Sequence, residues 1–292
     1  MKHLTFSVRD TVESRISVRT YEKDLLPQNM RQSLLSYAEG LENPIGPKIR
    51  LQFIEKTANG GGEKLGTYGM IKDANLFLGV TVPKEEYALE SLGYEFERVV
   101  LYARSLGLGT CWLGGTFNRS AFTAKMDIRE NEIFPILCPV GYPAAKPRAS
   151  ERLFRRTVKA RRRLPWEKTF FLHDFDHPLS EDWDGTYAFP LEMVRLAPSA
   201  VNKQPWRIVV TDNAVHFFEK HTLGGEAVGV DIQRIDLGIA LCHFHLAAME
   251  QNLPGHFERT PPDMAVPPGM TYIVSWKEGG TTHGSQEDRF QL

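Results

Sequence analysis

Ala197-Pro198-Ser199-Ala200-Val201-Asn202-Lys203-Gln204-Pro205-Trp206-Arg207 is the stretch on which the reading of this chain turns. It follows an amphipathic run, Phe189 to Leu196, and precedes a β-branched run, Ile208-Val209-Val210. A short helix therefore ends here, a polar loop crosses the surface, and a strand begins. Pro198 and Pro205 restrict the backbone on either side of Asn202. A loop so restrained presents Ser199, Asn202 and Gln204 to a ligand with little conformational freedom left to lose. By composition alone the same stretch is an ordinary helix-to-strand turn, because Ser, Asn and Pro are common turn residues.

Working outward, the first informative segment is Arg15-Ile16-Ser17-Val18-Arg19. In extended conformation its two arginines and its serine share one face. Forked guanidinium donors match phosphate oxygens, so the face suits a phosphate clamp. Standing alone, the pattern is better explained as an exposed strand edge carrying arginines. Leu92 to Leu106 repeats apolar residues at helical spacing, with Gly107 placed to cap its end. Gly107-Leu108-Gly109-Thr110-Cys111-Trp112-Leu113-Gly114-Gly115-Thr116 follows. It misses the dinucleotide-binding fingerprint, because Trp112 takes the third glycine's place and the segment follows a helix instead of leading into one. Asn59 to Gly66 is glycine-rich without a P-loop lysine and reads as a mobile loop. Arg152 to Arg163 carries seven basic residues, which on their own read as a solvated basic face. His173-Asp174-Phe175-Asp176-His177 reads as a linker, and His243-x-His245 as a packed or exposed pair whose rings face different ways on a helix.

Three of these segments together resemble the nitroreductase family, the FMN-dependent NAD(P)H oxidoreductases. Pro198-Ser199-x-x-Asn202-x-Gln204-Pro205-Trp206 is similar to the family's flavin-contacting loop, Arg15-x-Ser17-x-Arg19 to its N-terminal FMN motif, and the helix with Gly-Leu-Gly-Thr-x-Trp-x-Gly-Gly to its core helix and next strand. The resemblance implies an α+β fold with a central, mostly antiparallel sheet flanked by helices. It implies that Arg15, Ile16, Ser17 and Arg19 hold the phosphate and the pyrimidine edge, that Leu113, Gly114 and Gly115 pass flavin N5, and that Pro198, Ser199, Ala200, Asn202 and Gln204 belong to the cofactor site, Gln204 by supporting the loop. It also offers Arg161 and Arg163 as the family's late phosphate pair, with Lys159-x-Arg161 as an alternative register, and Gly66 to Gly69 as flavin lining. No protein acid or base is implied, since the cofactor carries the chemistry.

A second regularity bears on architecture. Leu237, Gly238, Leu241, Phe244, Ala248 and Asn252 parallel Leu92, Gly93, Phe96, Val99, Ala103 and Gly107 at a constant offset of 145 residues. Helix, loop, strand, strand, helix, strand thus occurs twice. The first copy keeps the arginine motif and lacks a Ser-x-x-Asn-x-Gln loop; the second keeps only the loop. Nitroreductases are homodimers whose interfaces build two FMN sites. The resemblance therefore implies a fused pseudo-dimer, similar to the Thermotoga-type branch of the family. The expected parts are a first half at 1–175 and a shorter second half at 183–292, packed as one unit with one complete FMN site.

Composition sets bounds on the partners. The chain has 292 residues, a net charge of -1 and no long apolar run, so neither nucleic acid nor membrane is an expected partner. Three scattered cysteines and the absence of a signal-like N-terminus suit the cytoplasm. The expected function is an FMN-dependent NAD(P)H oxidoreductase passing hydride through flavin N5 to a small-molecule electron acceptor, working as a monomeric pseudo-dimer. A non-catalytic flavin- or small-ligand-binding protein and a flavin-modifying relative are the alternatives.

Overall fold

The computed structural model describes residues 4–56, 65–223 and 229–279. Most of the glycine-rich segment and the polar tail from 280 onward lie outside these residues. The first half opens with helix α1 (Val8–Ser14), capped by Ser7, whose side chain accepts from Asp10 N. At Arg15 the backbone turns extended, and Ser17 bridges in parallel to Thr110. There follow α2 (Gln28–Glu39), β1 (Arg50–Glu55), β2 (Leu76–Pro83), α3 (Ala88–Ser105), β3 (Gly109–Thr110), α4 (Arg119–Thr123), β4 (Glu132–Gly141) and α5 (Ala149–Thr157). The strands form an antiparallel sheet in the order β1-β2-β4-β3.

The second half contains β5 (Phe170–Leu172), α6 (Ala188–Leu196), β6 (Trp206–Val210), β7 (Ala214–Lys220), α7 (Ile232–Glu250), β8 (Gly255–Glu258) and β9 (Met270–Glu278). Its sheet runs β5-β6-β7-β9-β8 and is antiparallel except where β5 pairs with β6. The antiparallel pairing expected from sequence is thus divided between two sheets, one in each half. Strand β5 precedes residue 175 yet hydrogen-bonds into the second sheet.

Helices α3 and α7 join the halves. Both are buried along most of their length, and the buried stretch of α3 includes Glu90, Glu95 and Glu97. They meet backbone to backbone at two glycines. A Cβ on Gly93 would come within 2.1 Å of the Ile235 carbonyl oxygen, and one on Gly238 within 2.0 Å of the Glu90 carbonyl oxygen. Each glycine therefore faces the residue three positions before the other. Around this crossing the core is continuous from Leu92, Phe96 and Val99 to Leu241, Phe244 and Ala248. Both histidines of α7 are packed: His243 Nε2 lies 3.0 Å from Glu97 Oε1, and His245 Nδ1 lies 2.6 Å from the Tyr94 hydroxyl.

Candidate active site

A cavity of about 550 Å³ opens between the two halves. One wall is the extended segment Arg15 to Arg19, which runs out of α1. A second is the Trp112–Thr116 turn, a third is α5 with the turn after it, and a fourth is the loop from Leu196 to Asn202. The floor is one face of α7: Ile232, Ile235, Asp236 and Ile239 stand at positions i, i+3, i+4 and i+7. The volume falls in the range typical of small-molecule and cofactor sites.

Thirteen of the fourteen residues that the sequence marks for the site line this cavity: Arg15, Ile16, Ser17, Arg19, Leu113, Gly114, Gly115, Arg161, Arg163, Pro198, Ser199, Ala200 and Asn202. Gln204 does not. It is buried behind the loop, where its Oε1 accepts from Leu164 N at 2.8 Å and its Nε2 donates to Asn202 O at 3.3 Å. An amide offers donors and an acceptor at once, so it suits the task of tying two backbone segments together. Gly114 is approached by Ile232, whose Cδ1 would lie 2.4 Å from an added Cβ.

The loop is held in an unusual shape. Val201, Asn202 and Gln204 have φ values of 42°, 59° and 50°, a region that non-glycine residues seldom occupy. Such backbone persists only where its surroundings over-determine it. Here Ser199 Oγ accepts from Gln204 N at 2.8 Å, and both oxygens of Asp236 accept from Ala200 N, at 3.0 and 3.1 Å. Asn202 Nδ2 donates to Lys159 O at 2.8 Å and to Arg162 O at 2.9 Å. Its Oδ1 accepts from Arg163 Nη1 at 3.3 Å. The asparagine that sequence assigns to the ligand therefore couples its own loop to the arginine-rich turn.

The cavity is strongly cationic. Burial lowers the Arg15 pKa, partly offset by Glu97 and deepened by Arg155. Burial brings Arg163 down to about 10, with Arg15 and Arg195 adding repulsion. An anion among these guanidiniums would relieve that repulsion. The Nε atoms of Arg15, Arg19 and Arg163 are buried and make no hydrogen bond among the described residues. Glu97, fully buried, anchors the wall from behind: it accepts from Trp112 Nε1 at 2.9 Å and lies 3.8 Å from Arg15 Nε.

Asp236 was not foreseen from sequence. Burial raises its carboxyl well above the usual range, opposed by the Ala200 N–H. The available signal was its place in Ile235-Asp236-Leu237-Gly238-Ile239-Ala240-Leu241, as the one charged residue of an otherwise apolar run. Cys111, beside Arg15 and Arg19, is 2% exposed, and burial raises its pKa, which makes it a poor nucleophile. Among the described residues, no helix is long and apolar enough to cross a membrane.

Comparison with known proteins adds an independent line. The model of the family described as "Putative TM nitroreductase" matches residues 7–248. A structure from Thermotoga maritima described as a putative nitroreductase superposes with a TM-score of 0.60 at 19% identity, covering 95% of this chain and 96% of that one. At that identity the likeness is one of fold. A nitroreductase from Bacteroides fragilis with bound FMN has a TM-score of 0.38 at 21% identity, over 48% of this chain and 90% of its own. A nitroreductase family protein from Clostridium novyi has a TM-score of 0.39 at 19% identity, over 48% of this chain and 87% of its own. No curated protein matches the chain.

Proposed function

The chain belongs to the nitroreductase family described as "Putative TM nitroreductase", and from that premise we propose that it is an FMN-dependent NAD(P)H oxidoreductase with one cofactor site between two halves that stand in for two subunits. One observation carries this reading. Arg15 to Arg19 and Leu113 to Gly115 from the first half, and Pro198 to Asn202 from the second, line the same cavity. The reciprocal approach of Gly93 and Gly238 supports the pseudo-dimer, because a two-fold crossing would pair the same position of each copy.

The residues present fit FMN. The Nε donors of Arg19 and Arg163, which make no hydrogen bond among the described residues, suit a phosphate, and Arg15, paired with Glu97, suits together with Ser17 the electron-rich edge of a pyrimidine ring. In this reading Arg19, Arg161 and Arg163 hold the phosphate, and Gln204 and Asp236 support the loop from outside. Ile232, Ile235 and Ile239 offer an apolar floor that excludes water from the ring. Bound FMN supplies hydride acceptance and donation at N5. The chain's own work is to bind, orient and shield, and the small-molecule electron acceptor uses the same cleft. Three free, buried cysteines suit a reducing cytoplasm.

The test is the visible spectrum of the purified protein, loaded with FMN and freed of excess. One flavin per chain with steady NAD(P)H oxidation is expected. Flavin that is retained without turnover supports a binding protein, and a flavin spectrum that decays under oxygen supports a flavin-modifying enzyme. No retained flavin would overturn the proposal, and two per chain would overturn its single-site part.

A further inference from the structure

The rim of the cavity carries more positive charge than the cofactor reading uses. Between Arg152 and Arg163 the chain has seven cations and no carboxylate, and the carboxylate just before them, Glu151, is turned inward to accept from Thr20 Oγ1 at 2.8 Å. Arg163 spends Nη1 and Nη2 on Ala160 O, Leu196 O and Asn202 Oδ1, which leaves its Nε for the cavity. The other cations have no carboxylate within 4.0 Å among the described residues. Arg155 and Arg161 line the cavity, while Arg156, Lys159 and Arg162, next to the lining residues in the chain, are exposed outside it. The whole chain has a net charge of -1, so this concentration is local.

The patch is also held in place. Asn202 Nδ2 fixes the Lys159 and Arg162 carbonyls, and Ala160 N donates back to Arg155 O at 2.9 Å, closing the end of α5. Concentrating like charges in a fixed turn costs repulsion, which a bound anion offsets. The FMN phosphate is served by the inner arginines with their unpartnered Nε atoms. The second ligand of the cleft is the dinucleotide electron donor, which is too long to lie wholly inside it. Its outer end therefore reaches the rim. There Ile16 and Val201, 44% and 56% exposed, offer apolar surface to a ring.

We propose that Arg155, Arg156, Lys159 and Arg162 form a subsite for a phosphate monoester, the 2′-phosphate of NADPH, and so make NADPH rather than NADH the electron donor. This rests on the oxidoreductase reading above. A phosphate monoester brings up to two negative charges and three acceptor oxygens, the complement of a multi-arginine rim. NADH offers only the diphosphate bridge common to both donors.

The experiment titrates the full chain, with and without FMN, using 2′,5′-ADP, 5′-AMP, inorganic phosphate and a short single-stranded oligonucleotide, followed by calorimetry. The expected result is at least about tenfold tighter binding of 2′,5′-ADP than of 5′-AMP, the scale of one or two charge-assisted hydrogen bonds. In the double variant Arg156→Gln/Arg162→Gln most of that preference disappears, while FMN content and 5′-AMP affinity stay the same. The ratio of kcat/KM for NADPH over NADH falls in parallel. Equal affinity for the two nucleotides in the unaltered protein would overturn the inference. So would a preference that survives both this variant and Arg155→Gln/Lys159→Gln, or inorganic phosphate competing as well as 2′,5′-ADP. An oligonucleotide that binds more tightly than 2′,5′-ADP would assign the rim to nucleic acid instead. Retained flavin without discrimination would sink this inference alone, whereas a protein that retains no flavin would sink the oxidoreductase reading as well.

Discussion

Gly238→Ala is the perturbation that most directly tests how the two halves are joined. The added Cβ would sit 2.0 Å from the Glu90 carbonyl oxygen and 2.8 Å from Tyr94 N, both backbone atoms of α3. Real Cβ contacts essentially never fall under 3.0 Å, so the helices must separate by roughly 1 Å. No side-chain rotation can absorb the clash, because the obstructing atoms belong to the main chain. Overpacking of a core costs about 1–3 kcal/mol and more where backbone is involved. The gain in helix propensity returns up to about 1 kcal/mol. The net expected loss is about 1–2 kcal/mol, read in urea as a lower midpoint at an unchanged slope. Because α7 also forms the cavity floor, FMN retention falls too. The reciprocal contact at Gly93 adds a sharper test. One separation of the helices relieves both clashes, so Gly93→Ala/Gly238→Ala should cost clearly less than the sum of the single variants. A Gly238→Ala protein as stable as the parent, or strictly additive losses, would refute the reciprocal crossing.

Three further outcomes follow from the same structure. Asn202→Ala removes the two donations that hold Lys159 O and Arg162 O. It should weaken FMN binding by about tenfold or more in a fluorescence titration, with far-ultraviolet circular dichroism unchanged. Asp236→Asn keeps an acceptor for Ala200 N, whereas Asp236→Ala orphans that N–H and should cost about 1–3 kcal/mol together with weaker flavin retention. Because burial raises the Asp236 carboxyl above its unfolded value, the folded protein keeps a proton that the unfolded chain releases. Stability from this residue is present at low pH and declines as pH rises above the usual carboxylate range, and Asp236→Asn should flatten that decline in urea melts. His216 has the opposite sign. Burial, helped by Lys277, lowers it from 6.5 to about 4. The unfolded chain then binds a proton that the folded one refuses, so stability is lost as pH falls from 6.5 towards 4, by at most about 3 kcal/mol. A His216 ring titrating near its ordinary value by NMR would refute this.

Sequence alone carried the local elements and the segments that come to line the cavity. The apolar spacing of Leu92 to Leu106 and of Leu237 to Asn252 marks the two helices that cross at the centre. The arginine motif, the Gly114-Gly115 turn and the Pro198 loop mark three walls of one cavity. These were legible because periodicity and turn chemistry depend on neighbours in the chain. Helices α1 and α5 escaped notice because their residues are largely polar and give little apolar stripe to read. Only the folded chain decided who bonds to whom. Gln204 is expected from sequence to support its loop, but that its Oε1 does so by accepting from Leu164 N came from the fold. Asp236 joined the site because α7 turns that face towards Ala200, which is 36 residues away. Glu97 became the anchor for Arg15 and His243 because two helices from different halves meet there. Such pairings are set by packing between distant segments, where the need to satisfy every buried polar group selects partners that no local pattern encodes.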